Sequence, residues 1–168
     1  EVYFKDVVRF YSSHLKVQYT VKDYVNPNID PDVSSLATRA GYLELRVKNL
    51  RSQTAFDQAH DKNLAEGEKV VYNPELKFNT ENGDHVAYFH IMRHTADCDV
   101  EFELVNIETG EVLHTLKLAD FLEQHKQYID VTKQEVLIPI EVEFKNMAVT
   151  VTIPDWLVEN VEGGFGTN

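Results

Sequence analysis

The 168-residue chain carries a net charge of −12, from 28 acidic and 16 basic residues, and 43% of its residues are hydrophobic. That hydrophobic fraction is too high for a disordered chain, and the length fits one domain with its own core. The negative charge repels phosphate backbones, so we expect no nucleic-acid partner. No apolar run is long enough to predict a transmembrane segment, and the single cysteine cannot form an internal disulfide.

Alternation of apolar and polar residues dominates the sequence and predicts strands with one buried face, as in antiparallel sheets. The clear cases in chain order are residues 14–22, 42–50, 99–105, 135–144 and 148–153, and less regular ones are 69–78 and 85–94. Pro139 would remove a hydrogen-bond donor from its ladder. We therefore predict that its strand is at a sheet edge or bulged at that position.

The connections between the predicted strands carry their own signals. Asn82-Gly83 is the strongest short hairpin signal, and Lys145-Asn146 indicates a tight turn. Residues 26–39 form a polar insertion that contains prolines. Residues 53–69 form an acidic insertion that could contain one helical turn.

One segment has helical spacing. Within residues 116–128, apolar side chains recur every three to four positions, although Asp120 could instead cap a shorter helix. Seven or eight strands with one short helix near 116–128 predict an all-β fold, a single two-sheet antiparallel β-sandwich of the immunoglobulin-like kind. We expect the sandwich to span residues 1–161 and residues 162–168 to form a flexible tail. No signal peptide is visible in the sequence, which opens at Glu1 rather than at a methionine, so we expect a mature or trimmed fragment.

Residues 84–99 hold three histidines and the cysteine, which raises the question of a metal site. His90 and His94 could share a zinc ion on a helix, but the β-branched and aromatic residues around His90, which are Val86, Tyr88, Phe89 and Ile91, favour a strand. On a strand the two would share a face roughly 13 Å apart, at about 3.4 Å per residue, which is too far for one ion. We therefore predict no metal site, with His85 on the opposite face from His90.

Other candidate sites are weaker. Cys98 lies between Asp97 and Asp99, whose carboxylates would raise the pKa of its thiol, so we interpret it as a half-packed residue at a strand end. Residues 26–32 have oxygen donors at alternate positions but lack the glycine and the distal glutamate of an EF-hand, which favours a solvated loop.

The chain contains no sequence motif for nucleophilic catalysis or phosphate binding. We therefore predict no catalytic residue, no cofactor and no enzymatic activity, while a site assembled from distant residues stays open. Four aromatic residues are candidates for a ligand-facing surface: Tyr72, Tyr88, Tyr128 and Trp156. An exposed aromatic row would bind glycan, so a carbohydrate-binding module of a secreted or surface protein is the alternative function. Trp156 could instead close the core of the sandwich.

Three parts of the sequence together carry a family resemblance. They are residues 42–50, the hairpin segment 103–113, and an ending formed by 118–125, 137–144 and 149–156. Together they resemble the FimB-like, fimbrillin-type fimbrial subunit family of anaerobic Gram-negative bacteria, over residues 42–158. The resemblance implies a transthyretin-like β-sandwich and a non-enzymatic cell-surface role, as a structural or adhesion domain of an anchor or minor fimbrial subunit.

The same resemblance implies secretion as a lipoprotein, location on the extracellular face of the outer membrane, and assembly with other fimbrial or surface subunits by strand exchange. The chain departs from the family in two respects. Cys98 lies in mid-chain and is not a lipid-attachment cysteine, and the chain has one domain's worth of sequence where family members usually carry two domains. Anchoring, tip position and polymerisation are therefore not carried over.

A second resemblance rests on the hairpin Thr109-Gly-Glu-Val112, which is similar to prealbumin-like repeats of Gram-positive surface proteins. Those repeats often hold a buried isopeptide bond between a lysine and an asparagine or aspartate. Lys16 and Asn146 would be the partners here. Because Lys16 alternates outward with polar residues, we predict that this bond does not form.

Overall fold

The computed structural model describes residues 11–25, 42–146 and 148–163. Within this part of the chain, nine strands and two short helices follow one another. The strands are β1 (His14–Lys22), β2 (Leu43–Asp57), β3 (Lys62–Tyr72), β4 (Lys77–Phe78), β5 (His85–Met92), β6 (Glu101–Asn106), β7 (Glu111–Lys117), β8 (Leu137–Lys145) and β9 (Ala148–Thr152). The helices are α1 (Leu118–Gln124), between β7 and β8, and α2 (Asp155–Glu162), after β9.

The strands form two sheets, which confirms the predicted two-sheet β-sandwich. Sheet A has the order β4-β5-β1-β8-β9, and sheet B has the order β3-β2-β6-β7. Every neighbouring pair is antiparallel except β1 and β8, which run parallel with Lys16 opposite Leu137. Strands this far apart in sequence are not joined by a hairpin, so nothing local fixes their relative direction.

The core lies between the two sheets. It is formed by the inward residues of each alternating strand, such as Val17 and Tyr19 on β1. Phe102 of sheet B stacks on Tyr19 of sheet A with ring centroids 6.0 Å apart, and Phe89 lies 6.4 Å from Phe102. Each fully buried large apolar side chain contributes roughly 1.5–3 kcal/mol, so this layer accounts for most of the stabilisation.

The prediction of a helical turn within residues 53–69 is wrong. The segment is a β-hairpin made of the end of β2 and most of β3, paired from Gln53 opposite Glu66 to Asp57 opposite Lys62. No side chain of residues 51–57 or 62–72 is buried. The segment therefore lacks the apolar alternation that marks strands lying over a core.

Pro139 lies where its missing donor is harmless. The Lys16 amide donates to the Val136 carbonyl, and groups alternate along a strand, so the nitrogen of Pro139 faces away from β1. On that side, pairing with β9 begins only at Glu141 opposite Thr152. This stretch of β8 is an open edge, as predicted.

Both helices differ in part from the prediction. α1 occupies only the centre of the predicted 116–128 segment, with Leu118, Phe121 and Leu122 buried and Asp120 in its first turn rather than at its cap. α2 was not predicted. It begins after Pro154, a residue common just at a helix start, and it runs through Glu162, past the predicted end of the sandwich.

Candidate functional site

A groove on the surface brings together two of the four predicted ligand-facing aromatics. Tyr72 ends β3 and is 46% exposed, and Tyr88 on β5 is 60% exposed. Both line a groove of about 360 Å³, together with Pro74, Glu75, Lys77, Val86 and Phe89. The groove lies where β3, the edge of sheet B, meets the short edge strand β4 of sheet A.

The alternation of β5 explains the groove's aromatic wall. Phe89 points into the core, and its neighbour Tyr88 therefore points outward. The Tyr72 ring packs edge-on against Phe89, with centroids 6.0 Å apart and planes at 63°, which fixes its orientation. Glu75 and Lys77 add one charge of each sign at the wall. An apolar, partly aromatic groove with polar groups beside it suits a neutral hydroxylated ligand or an extended peptide.

Tyr128 and Trp156 do not line this groove. Tyr128 lies after α1, and its hydroxyl donates to the carboxylate of Glu162 on α2. Trp156 lies in the first turn of α2 and is 43% exposed, so it does not close the core. The four aromatics are therefore not one continuous platform.

The histidines of residues 84–99 are only partly as predicted. His85 is buried and His90 is exposed, which confirms that they face opposite sides of β5. The prediction that His90 and His94 share a sheet face is wrong. β5 ends at Met92, and His94 is buried beyond the strand, with its Nδ1 2.7 Å from the Met92 carbonyl oxygen.

Cys98 is partly buried and forms no disulfide, as interpreted from the sequence. Burial raises the pKa of its thiol, and the carboxylates of Asp99 and Asp97 raise it further. Burial is thus a larger cause than the two neighbouring charges on which the prediction rested. The thiol is protonated at neutral pH and is a poor nucleophile.

Three other candidate positions were named from the sequence. The Lys16 ammonium lies 3.9 Å from the Glu135 carboxylate at the surface, in a weak ion pair. Asn146 is exposed in the β8–β9 turn, with a φ of 51°. Neither environment is the apolar interior that an isopeptide bond requires. The predicted solvated loop at residues 26–32 lies outside the described residues.

Sequence reasoning missed Pro74, Glu75 and Lys77 of the groove, because they lie in the predicted strand 69–78, whose alternation is too irregular to assign its residues to a face. The position of Pro74 directly after the β3 end, two residues from Tyr72, was the available signal. Within residues 11–25, 42–146 and 148–163, no three His, Cys, Asp or Glu side chains are arranged to hold a metal ion. Neither helix in the same residues is long and apolar enough to cross a membrane.

A sequence model of one family, described as "Fimbrillin-A associated anchor proteins Mfa1 and Mfa2", matches residues 2–162. The chain belongs to this Mfa2 family. The match begins well before the resemblance seen at residues 42–158 and includes it. Among curated proteins, none matches the chain.

Solved structures show that other proteins share this fold. The fimbrial anchor protein Mfa2 from Porphyromonas gingivalis is similar with a TM-score of 0.54 and 12% identity, over 83% of this chain and 45% of that one. A candidate adhesin from Bacteroides thetaiotaomicron has a TM-score of 0.51 and 11% identity, over 86% of this chain and 51% of that one. A candidate adhesin from Bacteroides ovatus has the same score and identity, over 86% of this chain and 49% of that one. This Mfa2-family chain spans about half the length of the structures it matches.

Proposed function

We propose that this Mfa2-family domain is a non-enzymatic structural or adhesion domain of a surface fimbria, of the anchor or minor-subunit type. The observation that carries the proposal is the family match over residues 2–162, and the β-sandwich fold supports it. We also propose that its partners are other fimbrial subunits, and that it acts at the cell surface. Secretion as a lipoprotein, outer-membrane location and a transthyretin-like arrangement of the strands belong to the same proposal.

Cell fractionation and cross-linking test this function. The full-length protein, tagged in its own bacterium, should be cut by protease added to intact cells. After cross-linking, it should also be recovered together with sheared fimbriae. Recovery in the cytoplasmic fraction, protected from the protease, would contradict the proposal. Deletion of the coding sequence should change the length, number or attachment of fimbriae seen by electron microscopy.

The groove at Tyr72 and Tyr88 supports a second candidate, a glycan-binding surface. Two exposed aromatic rings beside one groove offer the apolar faces on which sugar rings stack, and Glu75 and Lys77 offer hydrogen-bonding groups. Strand assembly and glycan binding make different demands on these side chains, since backbone pairing does not require aromatic rings.

A glycan array separates the two candidates. If the wild type binds a glycan on the array, Tyr88→Ala and Tyr72→Ala should lose that binding. The matched control Tyr128→Ala, whose ring lies outside the groove, should retain it. An array without hits for the wild type contradicts the glycan candidate and leaves the fimbrial proposal intact.

A further inference from the structure

The tip of the β2–β3 hairpin folds over the segment that follows β5. The amide of Ala65 donates to the carbonyl of Arg93 at 2.7 Å, and this bond docks the hairpin onto the domain. Two neighbouring cavities lie beneath it, of about 170 and 270 Å³. His60 of the hairpin turn and His94 both line the two cavities, although the two residues are far apart in sequence.

His94 is held in one tautomer. Its Nδ1 lies 2.7 Å from the carbonyl oxygen of Met92, which can only accept, so Nδ1 carries the proton. Its Nε2 is then unprotonated, with a lone pair that can accept a hydrogen bond or bind a metal ion. That atom is buried without a hydrogen-bond partner in the described residues, and the residue is only 7% exposed. Burial lowers the pKa of His94, which keeps the ring neutral. A buried acceptor left without a partner destabilises the fold, and a ligand at this atom would offset that cost.

His60 is oriented in the same manner by a different group. Its Nδ1 lies 3.2 Å from the carboxylate Oδ1 of Asp57, and the same oxygen accepts from the backbone amides of Ala59 and His60. The hairpin turn thus fixes the carboxylate, and the carboxylate fixes the ring. Nε2 is the nitrogen of His60 left for a further partner.

Metal-binding histidines typically donate one ring N–H to a carboxylate or a backbone carbonyl and ligate through the other nitrogen. His60 has the first arrangement and His94 the second. We propose that Nε2 of His60 and Nε2 of His94 together bind one divalent transition-metal ion, of the imidazole-preferring class of Zn²⁺, Ni²⁺ and Cu²⁺, beneath the hairpin tip.

The charges around the two cavities place the ion in the larger one. The smaller cavity is also lined by the cations Lys62 and Arg93, which would repel a metal ion. The larger is lined by Asp57 and Asp99, and the two cations beside it, Arg51 and Lys69, are both paired with Asp99, at 3.3 and 2.6 Å. Since no third side chain stands at ligand geometry within the described residues, water completes the coordination.

A second histidine pair supplies the control. His14 and His90 are both exposed on the outer face of sheet A, with ring centroids 6.3 Å apart. This pair could also chelate an ion, and it shares no residue with the hairpin site. Replacing it removes surface chelation and leaves the hairpin site unchanged.

The test is calorimetric titration of the metal-free chain with Zn²⁺ and, separately, with Ni²⁺. We expect one ion per chain, at least tenfold weaker binding in His60→Ala, and unchanged binding in the double variant His14→Ala/His90→Ala. Since His60 is exposed, its replacement leaves the fold intact. The melting temperature should rise with Zn²⁺ in the wild type and not in His60→Ala.

Nuclear magnetic resonance of the histidine rings locates the ion. Zn²⁺ should shift the Nε2 resonances of His60 and His94 and leave those of His14 and His90 unchanged. The proposal is overturned if the wild type binds no ion, or if binding survives in His60→Ala and disappears in the surface double variant.

Discussion

The first half of β2 and its second half are one continuous strand, but different interactions hold them. From Leu43 to Leu50, the inward side chains are buried between the two sheets. β6 pairs with residues 43–48, and β3 pairs on the other side from Val47 onward. From Arg51 to Asp57, no side chain is buried and β3 is the one partner strand. The base of the hairpin is therefore stabilised by hydrophobic burial, while its tip depends on backbone pairing and surface contacts.

The tip's contacts are individually weak. Asp99 receives ion pairs from Lys69 at 2.6 Å and Arg51 at 3.3 Å, and exposed pairs of this kind contribute about 0–1 kcal/mol each. The bond from Ala65 to the Arg93 carbonyl adds one docking point. The length of a strand is therefore not a measure of its local stability. The tip should open locally at a much lower free energy than the whole domain.

The largest effect should come from the core beneath the base. Phe102→Ala removes a buried ring that joins the two sheets through Tyr19 and Phe89, at a cost of about 3–5 kcal/mol. The matched change at the tip, Phe56→Ala, removes a ring that is 59% exposed and should cost less than about 0.5 kcal/mol. Urea unfolding measures both. Equal losses of unfolding free energy in the two variants would contradict the difference between the base and the tip.

The next effect concerns the docking point. Arg93 is 1% exposed, and its guanidinium donates to the carbonyls of Ser12, Val131 and Gln134 at 2.7–2.8 Å. Arg93→Leu leaves these acceptors without their donor, so we expect a loss of about 3 kcal/mol. Arg46→Leu, on the surface of sheet B, is the control and should cost less than about 0.5 kcal/mol.

Hydrogen exchange sharpens the same prediction. The backbone carbonyl of residue 93, which accepts the Ala65 amide, is held in place by the buried guanidinium of the same residue. Arg93→Leu keeps the carbonyl but removes that support, so it should speed exchange in the tip by more than in β6. Uniform acceleration across the domain would mean that Arg93 supports the fold as a whole and does not serve the tip in particular.

A smaller effect is expected from the tip's own backbone. Gly67 has a φ of 88°, and a Cβ added there would lie 2.8 Å from the Ser52 hydroxyl oxygen. Gly67→Ala should cost about 1–2 kcal/mol from the left-handed backbone alone, and slightly more from the contact. Gly83→Ala, with a φ of 77° and open space around it, isolates the backbone contribution. Denaturant unfolding should therefore rank Gly67→Ala as the more destabilising, and the reverse order would contradict the steric argument.

The smallest effect has the opposite sign. The hydroxyl of Tyr19 is buried without a hydrogen-bond partner among the described residues, and burial raises the pKa of this phenol. Tyr19→Phe should therefore stabilise the domain, by about 1 kcal/mol. Tyr24→Phe is the control, because the Tyr24 hydroxyl accepts from the Asn106 amide at 3.0 Å, and its loss should destabilise. Thermal melting distinguishes the two, and a lower melting temperature for Tyr19→Phe would reveal a partner for its hydroxyl.

Sequence alone could predict the parts of the fold in which one side of a strand faces the core. Residues 14–22 and 42–50 alternate because the sandwich buries every second side chain. Residues 53–69 could not be read in the same way, because a two-stranded extension has no buried face to impose the alternation. The parallel pairing of β1 with β8 also leaves no local trace, since register between distant strands is set by packing.

The candidate sites also differ in whether the alternation of a strand could predict them. Tyr88 was named from the sequence as one of four aromatics without a face assigned to it, and the structure places it at an outward position of β5. The neighbourhood of His60 and His94 depends on how the hairpin tip docks, which no spacing along the chain records. The end of β5 at Met92 likewise explains the error at His94, because the predicted alternation was extended two residues beyond the strand.

The pairing of β1 with β8 has a consequence for how the domain forms. Lys16 meets Leu137, so the central strand pair of sheet A joins the two ends of the described chain. Contacts this distant in sequence require closure of a long loop before they contribute, and they slow folding. During synthesis, sheet B and the β1–β5 pair can form before β8 has been made. Sheet A stays incomplete until residue 145 is available. Assembly of the domain is thus governed by its last third, and a chain truncated before β8 should remain open along β1.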